Sequence, residues 1–391
     1  MRRIHVIAAV IRDVQDRILI AKRPDHVHQG GLWEFPGGKL EDDEPRFEGL
    51  ARELREELGI SVTDARPLLD IRHDYPDKSV RLDVWLVTGF DGEAHGAEGQ
   101  PVRWVAANEL DEYEFPAANG PIVRAAQLPE RYLITPDVED EAALFAGLQR
   151  AREAGVRLVQ LRQTGMAADA YRALVERVLA AFGDDFQLMV KGDEPPGWPG
   201  GGWHLTSRQL RKAAERRTGR PADANHPGGG APTVDAAHCG SGPLPVANRP
   251  RVGVPTADAA HCGSDPLPVG NRPGGGAPTA DAAHSGSGPR PVGAATSPRL
   301  GGSRRTLLAA SCHNAEELAM AADLGVDFVT LSPVLPTATH PDAQPLGWER
   351  ARDLIGGVNM PVYLLGGLRP EELPGAFEVG AQGIAAIRGL W

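Results

Sequence analysis

Three glutamates, Glu53, Glu56 and Glu57, are spaced so that one α-helix would carry all three carboxylates on the same side. At about 100 degrees per residue, positions i, i+3 and i+4 fall within one arc of a helix. Carboxylate oxygens are the ligands that Mg²⁺ and Mn²⁺ prefer, and such an ion would bridge and neutralise phosphate oxygens. The alternative is a solvated acidic face, which is the usual explanation of a run of like charges.

The residues around these glutamates favour the chemical interpretation. The turn Pro36-Gly37-Gly38 leaves backbone groups open to a ligand, Glu44 lies just upstream, and Arg52 can hold a carboxylate in place. We therefore predict a site in which a divalent cation binds pyrophosphate oxygens.

Regular elements must position these groups. Apolar residues at helical spacing predict a helix from Arg46 to Leu58, and Gly59 is placed to end it. Residues 4–11, 17–22 and 80–87 are predicted strands, because they are apolar runs or alternate in polarity. These elements indicate an α/β unit that ends near residue 128.

The segment from Gly38 to Ile60 resembles the Nudix signature at every fixed position. The pattern is Gly, five residues, Glu, seven residues, then Arg-Glu-apolar-any-Glu-Glu-any-Gly-apolar, and it is filled by Gly38, Glu44, Arg52, Glu53, Leu54, Glu56, Glu57, Gly59 and Ile60. The similarity covers about residues 3–128 and is strongest to MutT-type 8-oxo-dGTP diphosphatases. The resemblance implies an α/β/α sandwich that uses Mg²⁺, or Mn²⁺, to release a nucleoside monophosphate and pyrophosphate. It also implies a role in cleaning the nucleotide pool of oxidised purines, and so in avoiding mutation.

The family's functional positions carry over residue by residue. The resemblance implies catalytic roles for Arg52, Glu53, Glu56, Glu57 and Glu98, with Glu53, alone or with Glu98, as the base and Arg52 orienting it. It implies metal binding by the carbonyl of Gly37 and by Glu53, Glu56, Glu57 and Glu98. Substrate contacts are implied at Arg23, His28, Glu34, Phe35, Pro36, Gly37 and Asn119. Taken alone, an Asn before Gly such as Asn119 is more often a turn residue.

The C-terminal part of the chain alternates short apolar runs with helical stretches. Eight such runs after Arg131 predict a parallel (β/α)₈ barrel over residues 129–391. Residues 219–302 interrupt it near the fourth helix, with 17 Gly and 14 Pro in 84 positions and a unit that recurs every 23 residues. This Gly/Pro-rich insertion offers too little apolar surface to fold, so we predict a disordered, duplicated linker rather than a solenoid.

The barrel region resembles the thiamine phosphate synthase and TenI (thiazole tautomerase) group. The matching pieces include YLITP, VQLRQ, WHL, SCHNAEEL, LSPVLPTATHP and GAQGIAAIRGLW. Gly366-Gly367, Ser332 and Thr337 would bind a phosphorylated ligand, although each also suits a turn. His313 is either a tautomerase acid/base or a structural residue at a strand end.

Four positions depart from the synthase pattern: Thr164, the segment Lys191-Gly192-Asp193, Gln209 and His340. They replace cationic phosphate contacts and an Asp that helps to bind magnesium, so we expect no efficient thiamine phosphate synthesis. The alternatives for the barrel are a working synthase, a thiazole tautomerase and a ligand sensor without catalysis.

Charge and composition exclude several classes of function. Forty-one basic against 52 acidic residues leave a net charge of −11, which disfavours direct nucleic-acid binding. No run approaches the roughly 18 apolar residues of a membrane span. Three cysteines, Cys239, Cys262 and Cys312, are too few for a disulfide framework. We expect a cytoplasmic protein whose partner is a small-molecule nucleotide, and no pattern predicts its oligomeric state.

Overall fold

The computed structural model describes residues 3–27, 29–74, 79–197, 201–218, 306–337 and 342–391. His28, His340 and the repeats of residues 219–302 lie outside the described residues, so the predictions for them stay predictions. An N-terminal sheet domain and a C-terminal barrel belong to one compact unit.

The N-terminal domain is built on one mixed sheet with the strand order β3-β2-β1-β5-β4, and β6 pairs with β2. Only the central β1–β5 pair is parallel. The elements are β1 (Arg3–Arg12), β2 (Arg17–Lys22), β3 (Trp33–Glu34), α1 (Arg46–Leu58), β4 (Ser61–Asp74), β5 (Ser79–Asp91), β6 (Val102–Ala106) and α2 (Gly120–Gln127).

Strand β1 is buried on both faces, and its alternation builds the layers. Ile7 and Ile11 pack with Leu54 of α1 on one side of the sheet, whereas Val10 packs with Ile122 of α2 on the other. Successive side chains of a strand point to opposite faces, so an apolar run in the middle of a sheet serves two helix layers. The predicted α/β/α sandwich is confirmed.

Eight parallel strands close the C-terminal barrel, with β14 paired to β7. The elements are β7 (Arg131–Ile134), α3 (Glu141–Glu153), β8 (Leu158–Leu161), α4 (Ala168–Phe182), β9 (Gln187–Val190), β10 (Gly202–Leu205), α5 (Ser207–Thr218), β11 (Leu308–Cys312), α6 (Ala315–Leu324), β12 (Phe328–Leu331), α7 (Gly347–Ile355), β13 (Val362–Leu365), α8 (Leu373–Glu378) and β14 (Gly383–Ala386). The predicted barrel is confirmed. In the described part of the β9–β10 connection there is no helix.

The barrel interior contains a cluster of rings. Tyr132, Phe328 and Tyr363 are fully buried, with ring centroids 5.3 to 5.6 Å apart in edge and tilted contacts. Such offset arrangements are the favoured ones for aromatic pairs.

None of the helices that the structure describes is long and apolar enough to cross a bilayer.

Candidate active site

The glycine turn lies directly on strand β1. Ile7 donates its N–H to the Gly38 carbonyl and Ala9 donates to the Pro36 carbonyl, each at 2.8 Å. The carbonyl of Gly37, between them, accepts no hydrogen bond from the described residues. Gly37 has φ +143°, and a Cβ there would lie 2.2 Å from the Ile7 carbonyl oxygen. The turn therefore requires glycine, and it presents one uncommitted carbonyl oxygen.

Arg52 organises the first group of carboxylates. Its Nε and one terminal nitrogen donate to the two oxygens of Glu44 at 2.8 and 2.9 Å, and the other terminal nitrogen donates to Glu53 at 2.9 Å. The Arg52 hydrogen bonds are the main cause that lowers the pKa of Glu44 to about 2. A Cβ on Gly38 would lie 2.0 Å from a Glu53 oxygen, so the Glu53 carboxylate rests against the glycine turn.

Glu57 is in a different environment from Glu53. Its carboxylate accepts a hydrogen bond of 2.7 Å from the Gly37 N–H. Burial raises the pKa of Glu57 to about 7, and the negative charges of Glu34 and Glu98 act in the same direction. No Arg, Lys or His of the described residues forms an ion pair with it. A desolvated carboxylate beside two others attracts a cation.

The loop that carries Glu98 is tied to the end of α1. Ala97 N–H and the Gln100 side-chain amide both donate to the Glu57 carbonyl at 2.9 Å, and His95 N–H donates to the Leu58 carbonyl at 3.1 Å. These bonds pair carbonyls that the last turn of a helix leaves without partners. Sequence reasoning missed Gln100, which positions the loop although Glu98 itself is exposed.

A buried carboxylate positions the other end of α1. Asp83 of β5 is fully buried, accepts two hydrogen bonds from Arg46, the first residue of the helix, and accepts one from the Trp85 indole at 3.1 Å. The sequence does not mark this pair, because an Asp in a strand and an Arg at a helix start carry no motif.

The predicted substrate residues divide into two groups. Arg23 forms an ion pair with Glu34, whose pKa is raised mainly by burial. Phe35 is 4% exposed and stacks on Phe115 with centroids 5.3 Å apart, so it packs in the core, and its contact with substrate stays a prediction. Pro36 is also buried.

Asn119 immediately precedes α2, where Asn side chains usually cap the helix. Its backbone is already helical, with φ −85° and ψ −11°, and its side chain makes no capping hydrogen bond. No described residue hydrogen-bonds to that amide, and so it is available to a ligand.

The predicted metal ligands are neighbours without forming a closed cage. Within the described ranges, no three acidic, His or Cys side chains converge closely enough to hold one ion. Glu53 is bonded to Arg52, and the Glu56 side chain is 61% exposed and 3.5 Å from Arg52. The Gly37 carbonyl and the Glu98 carboxylate accept no hydrogen bond from the described residues, and the Glu57 carboxylate accepts one, from the Gly37 N–H. Hard oxygens of this kind fit Mg²⁺ or Mn²⁺.

The barrel has a cavity of about 1380 Å³ at the carboxyl ends of its strands. Ser332, Thr337, Gly366 and Gly367 line it as predicted, and the glycine pair has φ of +106° and +70°. His313 also lines it, with Nδ1 2.8 Å from the buried carboxylate of Glu317. The Nδ1–H donates a hydrogen bond to that carboxylate, which leaves Nε2 as the ring nitrogen that can contact a ligand.

His204 and Ser311 extend the cavity wall toward the barrel interior. Burial, together with Lys191, lowers the pKa of His204 to about 3, so the ring is neutral. Tyr132, whose hydroxyl lies 2.8 Å from His204 Nδ1, donates there, and Nε2 then donates to the Ser311 hydroxyl at 2.9 Å. Ser311 lines the cavity, and its hydroxyl also lies 3.5 Å from that of Thr330.

Two of the positions that depart from the synthase pattern, Gln209 and Thr164, have hydrogen-bond partners here. Gln209 donates to the Gly192 carbonyl at 2.7 Å and to Asp193 at 3.2 Å, and Thr164 N–H donates to Asp137. Lys191 lines the cavity. Hydrogen bonds within the protein therefore connect the loops that contain Thr164 and Gln209 to neighbouring loops of the barrel.

Comparison with known proteins gives matches for both parts of the chain. The NUDIX domain family matches residues 7–125, and the thiamine monophosphate synthase family matches residues 278–390. An 8-oxo-dGTP diphosphatase of Proteus vulgaris is 45% identical over 98 residues, 25% of this chain and 88% of that protein. A CTP pyrophosphohydrolase of Escherichia coli K12 is 38% identical over 125 residues, 32% of this chain and 92% of that protein.

The barrel matches a putative thiamine-phosphate synthase 2 of Aquifex aeolicus, 43% identical over 77 residues, 20% of this chain and 41% of that protein. The N-terminal fold and its glutamate helix define a hydrolase of phosphoric anhydride bonds. The chain belongs to the Nudix hydrolase family, and it carries a thiamine monophosphate synthase-type barrel at its C-terminal end.

We expect Gly37→Ala to abolish hydrolysis and to destabilise the protein by about 2 kcal/mol or more, since it combines a strained φ with a clash against β1. Gly155→Ala is the matched control, because Gly155 also has a positive φ but nothing within 4 Å of the added Cβ. Urea unfolding and a hydrolysis assay on both variants measure the difference. Equal effects of the two substitutions would show that the contact with β1 is unimportant.

Proposed function

We propose that the N-terminal domain hydrolyses 8-oxo-dGTP to 8-oxo-dGMP and pyrophosphate, with Mg²⁺, and thereby removes oxidised precursors of DNA. The observation that carries this proposal is the half-buried Glu57 carboxylate, which accepts a hydrogen bond from the Gly37 N–H, lies beside two other acidic groups and has no ion-pair partner among the described residues. The P. vulgaris relative supports an oxidised purine as substrate, and the E. coli relative makes CTP the rival.

The oxygens of Gly37, Glu53, Glu56, Glu57 and Glu98 would hold the divalent cation. When bound, such an ion neutralises the charge that develops on phosphate oxygens and lowers the pKa of a coordinated water. Its charge would also favour ionised Glu57, whose pKa burial has raised.

Two side chains of α1, Glu53 and Arg52, have separate roles in the reaction. The oxygen of water forms a bond to phosphorus while the bridging P–O bond to pyrophosphate breaks, and Glu53 takes the water proton. Arg52 keeps that carboxylate in place through a bond of 2.9 Å, and its bidentate hold on Glu44 fixes the guanidinium itself. Orientation of this kind is a large part of the rate gained in phosphate chemistry.

Asn119 would recognise the nucleobase of the substrate. Oxidation of guanine at C8 adds a hydrogen at N7, so an acceptor becomes a donor. An amide offers both an acceptor oxygen and two donor hydrogens, and this one has no other hydrogen bond among the described residues. Arg23, His28 and Glu34 would complete the nucleotide contacts.

For the barrel we propose binding of a small phosphorylated molecule. The glycine pair, Ser332 and Thr337 supply backbone and hydroxyl donors at one end of the cavity, and the Ser311 hydroxyl supplies another. The His313–Glu317 pair favours proton transfer, as in a thiazole tautomerase, over thiamine phosphate synthesis. A sensor without catalysis would bind the same ligand and release it unchanged.

Glu53→Gln and Glu57→Gln should each reduce kcat by about 100-fold or more, the first because it removes the proposed base and the second because it removes a proposed metal ligand. Pyrophosphate release from 8-oxo-dGTP, dGTP and CTP with Mg²⁺ is the assay. Glu48→Gln on the same helix is exposed and serves as the control. Turnover close to that of the unaltered protein in both site variants would refute the assignment of α1.

Asn119→Ala should reduce kcat/KM for 8-oxo-dGTP much more than for dGTP, because unpaired polar groups discriminate by several kcal/mol where shape alone gives about 1 to 3. Its dependence on Mg²⁺ should not change. Asn108→Ala, at an exposed neighbouring position, is the control. A preference of the unaltered protein for CTP would keep the Nudix chemistry and reject the oxidised purine.

The full-length chain should not support growth without thiamine in a strain that lacks thiamine phosphate synthase. The reason is that Thr164, Lys191 and Gln209 stand where that reaction needs other side chains. The same test is made with a chain that carries Glu53→Gln, in which hydrolysis should be lost. Growth of that strain would then depend on the barrel alone. Robust growth with either chain would establish the synthase instead.

A further inference from the structure

Helix α2 is capped at its C-terminal end by a side chain of the barrel. The helix has only eight residues, and it ends at Leu128 in an extended conformation without a glycine cap. The Gln382 side-chain amide donates to the Ala125 carbonyl at 3.1 Å and to the Leu128 carbonyl at 2.9 Å. Helices this short are marginal alone, and carbonyls of the last turn need partners.

The orientation of Gln382 is determined by these two bonds. The residue is 2% exposed, and its backbone N–H donates to the Val362 carbonyl at 2.9 Å, so the barrel holds it. Its side-chain oxygen is buried and has no hydrogen-bond partner in the described part of the chain. The reversed amide would place that oxygen against two carbonyl oxygens, which is repulsive.

Two further contacts fasten the same end of α2 to the barrel. Arg124 of the helix lies 3.4 Å from the buried carboxylate of Asp327, beside β12. Leu128 packs in the aromatic cluster of the barrel interior, with Tyr132 and Tyr363 among its neighbours. The N-terminal domain holds this half of α2 as well: Arg124 pairs with Asp111 at 2.9 Å, and Arg12 donates to the Ala126 carbonyl at 2.8 Å. The barrel therefore adds to the anchoring of α2 at the Ala125 and Leu128 carbonyls.

The other end of α2 carries Asn119. Asn119 precedes the first residue of the helix, and its side chain does not cap the N-terminus. Any shift or fraying of α2 therefore moves the backbone that carries the Asn119 amide. Helix α1 has separate anchors, namely the Arg46–Asp83 pair and the loop bonded to the Glu57 carbonyl.

We propose that Gln382 is a positioning residue of the nucleotide site: the barrel caps α2 and thereby places Asn119 against the base. This inference rests on the proposed role of Asn119. It assigns the barrel a part in substrate recognition by the hydrolase, whatever ligand its own cavity takes. Because α1 is held independently, loss of the cap should affect binding of the base more than the chemical step.

The experiment compares Gln382→Met with Gln149→Met in the full-length chain. Methionine keeps the length of the side chain and removes both donors, and Gln149 bonds only within α3, to Glu153. For Gln382→Met we expect KM for the preferred nucleotide to rise about tenfold while kcat stays within about twofold, as for a misplaced binding group. Hydrogen exchange of the α2 amides should become faster, and Gln149→Met should change neither quantity.

Asp327→Asn provides a second variant, should Gln382→Met fail to fold. It removes the charge opposite Arg124 and should raise KM in the same direction. Unchanged KM and unchanged α2 exchange, or an equal loss of kcat on every nucleotide, would overturn the proposal. KM and exchange are measured with whichever nucleotide the protein prefers, so a failure of the 8-oxo-dGTP assignment leaves this test intact.

Discussion

The hydrogen bond from the Gly37 N–H to the Glu57 carboxylate joins the parts of the candidate site. Gly37 belongs to a turn bonded to β1, Glu57 belongs to α1, and the Glu57 carbonyl holds the loop of Glu98. A half-buried carboxylate without an ion pair in the described part of the chain costs free energy, and one backbone donor offsets only part of that cost. The arrangement is thus built around negative charge that a cation would balance.

The elements with a regular apolar period could be predicted from the sequence. The helix Arg46–Leu58, the buried strand β1 and the eight barrel strands follow from spacing alone, since their side chains face a core. Strand β4 (Ser61–Asp74) could not, because it is an edge strand with a polar sequence, irregular register and a proline. Its 14 residues are set by pairing with β5, which is a tertiary effect.

The grouping of the candidate site's carboxylates could be predicted from the sequence. The residues that hold the surrounding elements in place could not. Glu53, Glu56 and Glu57 share one side of α1 because of the helical period, and the glycine turn lies beside them. Asp83, Gln100 and Gln382 are polar residues whose partners are distant in sequence, so nothing local marks them. Phe35 shows the opposite case: it falls in a functional motif, yet it packs in the core.

The contact between α2 and the barrel has a thermodynamic consequence for both domains. A nucleotide that binds Asn119 only when α2 is in place stabilises the capped helix, and by linkage the cap favours the nucleotide by the same free energy. The unpaired oxygen of Gln382 lowers the gain from this contact, since a buried acceptor without a partner costs free energy. The contact is therefore a compromise: Gln382 gives the Leu128 carbonyl a partner and adds a second donor to the Ala125 carbonyl, which already accepts the Leu128 N–H at 3.4 Å, while its own amide oxygen is left unpaired among the described residues.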